Sequence, residues 1–109
     1  MEAIAAGAMP ELKGLFLNDN DGLGDEGAKV LAAALSEGRL PKLEELELEN
    51  TGMGDAGATA LARSLGGAPA LKELWVRRND IGEAAKAELK AACDKGGVTI
   101  DVLSSSRMW

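Results

Sequence analysis

Apolar residues return in the same order three times along the chain. Leu12, Leu15 and Leu17 are matched by Leu43, Leu46 and Leu48, and again by Leu71, Leu74 and Val76. The last two of each set alternate with other residues, the period of a strand with one buried face. A polar, glycine-bearing stretch follows, and then the period changes. Gly27, Leu31 and Leu35, and likewise Gly57, Leu61 and Leu65, stand at i, i+4 and i+8, which puts them on one face of a helix. Ala28, Ala32, Ala58 and Ala62 lie beside them, small enough to let helix and sheet approach closely. The pattern predicts strand, turn, helix, repeated.

The punctuation repeats as well. Pro10, Pro41 and Pro69 open the phrases P-E-L-K-G-L-F-L, P-K-L-E-E-L-E-L and P-A-L-K-E-L-W-V. Each phrase runs on to a glycine-acid pair: Gly24-Asp25, Gly54-Asp55 and Gly82-Glu83. Asp25 and Asp55 are placed to cap a helix start and to complement its dipole. Asn20, Thr51 and Asn79 fall three residues after the last strand apolar, where a side chain can satisfy backbone groups as the chain turns. Thr51 can replace asparagine there only in part. Leu23, Met53 and Ile81 then return to the core.

The phrase L-x-x-L-x-L-x-x-N-x-I-G-D-x-G-A-x-x-L-A-x-A-L resembles the repeat of ribonuclease-inhibitor-like leucine-rich proteins. Ran GTPase-activating protein, the repeat regions of NOD-like receptors and tropomodulin share that type. The resemblance covers Pro10–Cys93. It implies an α/β leucine-rich repeat solenoid, a horseshoe segment of about three units. A short parallel sheet would line the concave face and helices the convex face. One domain, residues 1–103, would hold repeats at 10–40, 41–68 and 69–97 and a closing strand at 98–103, where Val98, Ile100 and Val102 alternate.

The ends depart from the repeat. Lys86 and Lys90 take the columns of Ala58 and Ala62, and Cys93 takes that of Leu65, which suits a last unit. Gly96-Gly97 should end its helix. Residues 104–109 are expected to be a flexible tail. At the other end Ile4 aligns with Leu35, so Met1–Ala5 would be only the last turn of a helix. Either that stump caps the first unit poorly, or the chain is a piece of a longer array. A bare end also invites end-to-end self-association through the first repeat.

Composition narrows the chemistry. A net charge of −6 repels nucleic-acid phosphates and anionic membranes, so neither is an expected partner. No stretch approaches the ~18 apolar residues of a spanning helix. Met1–Met9 lacks the basic flank of a signal peptide. One cysteine forms no intramolecular disulfide and suits a reducing, cytoplasmic setting. The chain has no histidine, which removes the commonest general base and zinc ligand together. Gly22–Lys29 nearly matches a phosphate loop, but Lys29 comes one residue late and no hydroxyl residue follows. Asp19, Asp21, Asp25 and Glu26 have the composition of a calcium loop in the wrong register. Cys93 is simplest as a small core residue. No catalytic, cofactor or metal site is expected.

The candidate site is the outward face of the strands, where residues between the leucines point away from the core. The units present Gly14, Phe16 and Asn18, then Glu45, Glu47 and Glu49, then Glu73, Trp75 and Arg77. Strand pairing would align Phe16, Glu47 and Trp75 in one row and Asn18, Glu49 and Arg77 in the next, with Glu49 and Arg77 able to pair. An aromatic-carboxylate-aromatic row beside arginine has the make-up of a binding hot spot. The expected function is a protein-interaction module whose concave face binds a basic or mixed partner surface. The alternatives are a small-GTPase regulator, implied by the resemblance to Ran GTPase-activating protein, and a structural fragment of a longer array.

Overall fold

The computed structural model describes residues 9–101; the stump at Met1–Ala5, Val102 and the tail at 104–109 lie outside the described residues. Each unit forms a three-residue strand and a helix: β1 Gly14–Phe16, α1 Gly24–Ser36, β2 Glu45–Glu47, α2 Asp55–Ser64, β3 Glu73–Trp75, α3 Glu83–Gly96. A 3₁₀ turn, Leu65–Gly67, extends α2, and β4 Thr99–Asp101 closes the series. All four strands are parallel and lie in chain order. The sheet is therefore a stack of like units, as expected of an α/β leucine-rich solenoid.

Burial follows the period. Leu46, Leu48 and Leu74 are fully buried, as are Leu31, Leu35, Leu61 and Leu89 on the helices facing them. A substitution such as Leu46→Ala should cost about 2–5 kcal/mol. The first unit is the exception: Leu12, Leu15, Leu17 and Leu23 pack on the core but stay partly exposed. At the far end Lys86 is buried in the column of Ala58, its amine 3.6 Å from Glu83. Gly97, at φ 72°, supplies the left-handed residue that ends α3, and Val98 N–H donates to the Cys93 carbonyl.

The side chains that fasten unit to unit differ from the local rule in one respect. Neither α1 nor α2 begins with a side-chain cap from its own turn. The Asp25 carboxylate instead reaches the next unit, accepting from the N–H groups of Gly54 (2.7 Å) and Gly57 (2.8 Å) at the start of α2. Asp55 does the same for Gly82 at 2.6 Å. The expectation that these acids cap helix starts is thus corrected: each serves the following helix. The stack brings the neighbour's amides within reach of the carboxylate, and the N-terminal partial charge of that helix favours it there. Gly57 makes the approach possible, since a Cβ at that position would lie 2.7 Å from the Asp25 oxygen.

The turn after each strand shares a second device. Asp19, Asn50 and Arg78 occupy equivalent positions, all with φ between 54° and 62°. Asp and Asn tolerate that left-handed conformation, whereas arginine strains there. One residue on, Asn79 Nδ2 donates to the carbonyls of Leu48 and Val76, and its Oδ1 accepts from Thr51 and Met53 N–H. Thr51 is shorter; its hydroxyl reaches the Leu48 carbonyl of its own unit.

Candidate functional site

The register places the candidate residues together. Gly14, Glu45, Glu73 and Thr99 are cross-strand partners, as are Phe16, Glu47, Trp75 and Asp101. The second row extends the ladder beyond the strands, for Asp19 N–H donates to Glu49 and Asn50 N–H to Arg77. Arg77 Nε lies 3.4 Å from Glu49.

The two sides of this face differ in how free their groups are. On β3, Trp75 Nε1 donates to Glu73 at 3.0 Å, and the Arg77 guanidinium sits 5.0 Å from the indole centre. The indole is thus held between an acceptor and a cation before any partner arrives. On β1, Phe16 is 57% exposed, the one exposed large apolar side chain among the described residues. Its ring folds back over Gly14, where a Cβ would stand 2.8 Å from Cε2. Asn18 bridges the strands: Nδ2 donates to Glu47 at 2.7 Å and Oδ1 accepts from Glu49 N–H at 2.8 Å.

The carboxylates are crowded. Glu45 is held above the usual carboxylate range, first by a hydrogen bond with Glu47, then by burial and by the negative charges of Glu73 and Glu47. A cation brought against this face would relieve that repulsion. The arrangement offers no nucleophile or metal cage. Cys93 is buried on the other side of the sheet, and burial pushes its thiol up to about 11, where it stays protonated at neutral pH. Among the described residues no group of His, Cys, Asp or Glu could hold a metal ion.

The row and the Glu49–Arg77 pair follow from alternation and spacing. The stacking of Arg77 on Trp75 and the role of Asn18 as a cross-strand bridge do not, because both depend on rotamers. A polar residue two positions beyond the aromatic on the same strand, Asn18 after Phe16 and Arg77 after Trp75, is the signal the sequence carries.

The Leucine Rich repeat family model matches residues 12–32 and 39–62. Ribonuclease inhibitor of Sus scrofa is 43% identical over 77 residues, which is 71% of this chain and 16% of that protein. The chain is a ribonuclease-inhibitor-like leucine-rich repeat protein. It spans about 16% of the length of that relative. Repeat proteins of this family are generally non-catalytic modules that bind other proteins. No described helix is long and apolar enough to cross a membrane.

Proposed function

We propose that this leucine-rich segment binds a protein partner on its concave sheet face, through Phe16, Asn18, Glu45, Glu47, Glu49, Glu73, Trp75 and Arg77. The observation that carries the reading is the Phe16–Glu47–Trp75 register row, with Phe16 exposed at one end and Trp75 already fixed at the other. Phe16 would be the anchor that loses exposure, and Trp75 a preformed wall that spends little conformational entropy. Glu45, Glu47 and Glu49 would steer a basic or mixed surface towards them. A reducing, cytoplasmic setting suits the single protonated thiol.

A paired capture experiment tests this. A partner retained by wild type should be lost from a chain carrying Phe16→Ser and Trp75→Ala, yet kept by one carrying Lys29→Glu and Arg63→Glu on the helices. Circular dichroism melts establish that all three are folded. Loss from the helix variant alone would sink the concave-face reading. A ribonuclease is the partner suggested by the name of the Sus scrofa relative, and a ribonuclease inhibition assay is the direct check.

A second reading has its own observation. Leu12, Leu15 and Leu17 remain partly exposed where their counterparts in later units are almost fully buried. That difference favours a segment of a longer array, or end-to-end association through the first repeat. Sedimentation across a range of concentrations separates the two, since only association depends on concentration.

A further inference from the structure

β1 is an edge strand among the described residues. In a parallel ladder, alternate residues turn their backbone groups to one side. Leu17 and Asp19 donate to the Glu47 and Glu49 carbonyls at 2.9 Å, and the Lys13 carbonyl accepts from Glu45 N–H. The odd positions of β1 therefore face β2. Gly14, Phe16 and Asn18 turn their N–H groups outward, and no described residue accepts from them. An open row of this kind is a template for another strand.

The same edge runs into a cavity of about 720 Å³ beyond the end of β1. Leu17, Leu23 and Val30 give it an apolar floor, while Asp19, Asp21 and Glu26 stand on its rim. Leu17 belongs to both edge and cavity. Lys29, the cation nearest in sequence, is turned to Glu26 at 3.5 Å. The cavity thus pairs an apolar floor with net negative charge at the end of an unfilled strand row.

We infer that the β1 edge receives an extended segment of a partner protein, running parallel to β1, with apolar residues at alternate positions and a basic residue at its C-terminal end. Main-chain hydrogen bonds to Gly14, Phe16 and Asn18 hold the segment, and its alternate side chains cover Leu15 and Leu17. The parallel direction carries its C-terminal end to Asp19 and Asp21. Charge decides between occupants: a second copy would bring another net −6 to an acidic rim, whereas a basic segment complements it. The inference rests on the chain being a binding module, but its site is the sheet edge and not the concave face.

The probe is a blocked peptide of alternating valine and threonine ending in two lysines, titrated into the isotopically labelled full chain and read by NMR. The expected result is a Kd of about 100 µM or tighter. Amide exchange at Phe16 and Asn18 should slow by about tenfold or more, with Trp75 and Arg77 amides unaffected. The same peptide ending in two glutamates should bind about tenfold more weakly, and Asp19→Asn with Asp21→Asn should erase that difference. No binding, or binding without protection at Phe16 and Asn18, overturns the proposal. So does equal binding of the glutamate peptide, which would mean that any strand suffices. Protection in the peptide-free chain overturns it too: if independent of concentration, this chain covers its own edge, and if rising with concentration, a second copy does. Protection at the edge and loss of a captured partner from the Phe16 and Trp75 variant are separate readouts, so either reading can fail alone.

Discussion

The junction between the first and second units and the junction between the second and third are built from the same parts, used in opposite proportions. At the first, the helix side is fastened by one carboxylate taking two amides, Asp25 to Gly54 and Gly57. On the turn side the Thr51 hydroxyl bonds within its own unit, and two bonds, Gly24 N–H to the Thr51 carbonyl and Asn50 Nδ2 to the Asp19 carboxylate at 3.0 Å, join the two. At the second, Asp55 takes a single amide, while Asn79 ties the turn side through Leu48, Thr51 and Met53. A solenoid's stability is a sum of units and interfaces. The comparison shows that one strand-to-helix turn can be tied to its neighbours from either side of the stack, by the preceding unit's carboxylate at Gly54 and Gly57 and by the following unit's asparagine at Thr51 and Met53.

Asn79→Ala should break this balance most. It removes the Asn79 acceptor of the Thr51 and Met53 amides and leaves the Leu48 carbonyl with only the Thr51 hydroxyl, and should cost about 2–4 kcal/mol in denaturant unfolding. It should also expose the thiol of the third unit. Cys93, with its pKa near 11, should resist alkylation at pH 7 in the wild type and react measurably faster in Asn79→Ala. Equal labelling rates would show that the turn does not hold the third unit. Asp25→Ala should cost less, about 1–2 kcal/mol. Its signature is positional: hydrogen exchange should quicken at Gly54 and Gly57 in the second unit, and not at the start of α1. Acceleration in α1 instead would restore the local-cap rule.

That local rule explains what could be read from the chain before its structure. Burial at Leu46, Leu61 or Leu89 is a consequence of period, and period is written in the order of residues. The glycine at the end of α3 is likewise local, because φ at Gly97 demands it. The destination of Asp25 is not local. An acid one residue after glycine satisfies the N-terminal pattern for its own helix, and only the stacking distance sends it to the next. The candidate face divides in the same way. Its rows follow from alternation, while the raised pKa of Glu45 and the clamping of Trp75 depend on how side chains two positions away on the same strand turn, Glu47 for Glu45 and Glu73 and Arg77 for Trp75, with the charge of Glu73 added to Glu45 across strands.

Two smaller changes sharpen the contrast. Arg78→Asn replaces the strained member of the left-handed trio and should stabilise by about 0.5–1 kcal/mol in the same unfolding assay, with no effect on Asp25-dependent exchange. Glu45→Gln probes the crowded face. Because the folded-state pKa of Glu45 is raised, its contribution is favourable below the ordinary glutamate range and is lost as pH rises through the raised value. Glu45→Gln should therefore give a small rise in Tm at pH 7 that disappears by about pH 4. A rise that persists in acid would mean that shape, not charge, is responsible.

The forward-reaching carboxylates bear on how such arrays can be recombined. A segment excised from proline to proline looks like a complete module, yet it leaves its helix cap behind and carries one intended for a neighbour. Swapping whole segments among related arrays succeeds only where the donor's acid and the recipient's glycine agree in place. The natural unit of exchange is therefore offset from the visible repeat: it runs from one acid-bearing turn to the next, so that each carboxylate travels with the amides it serves.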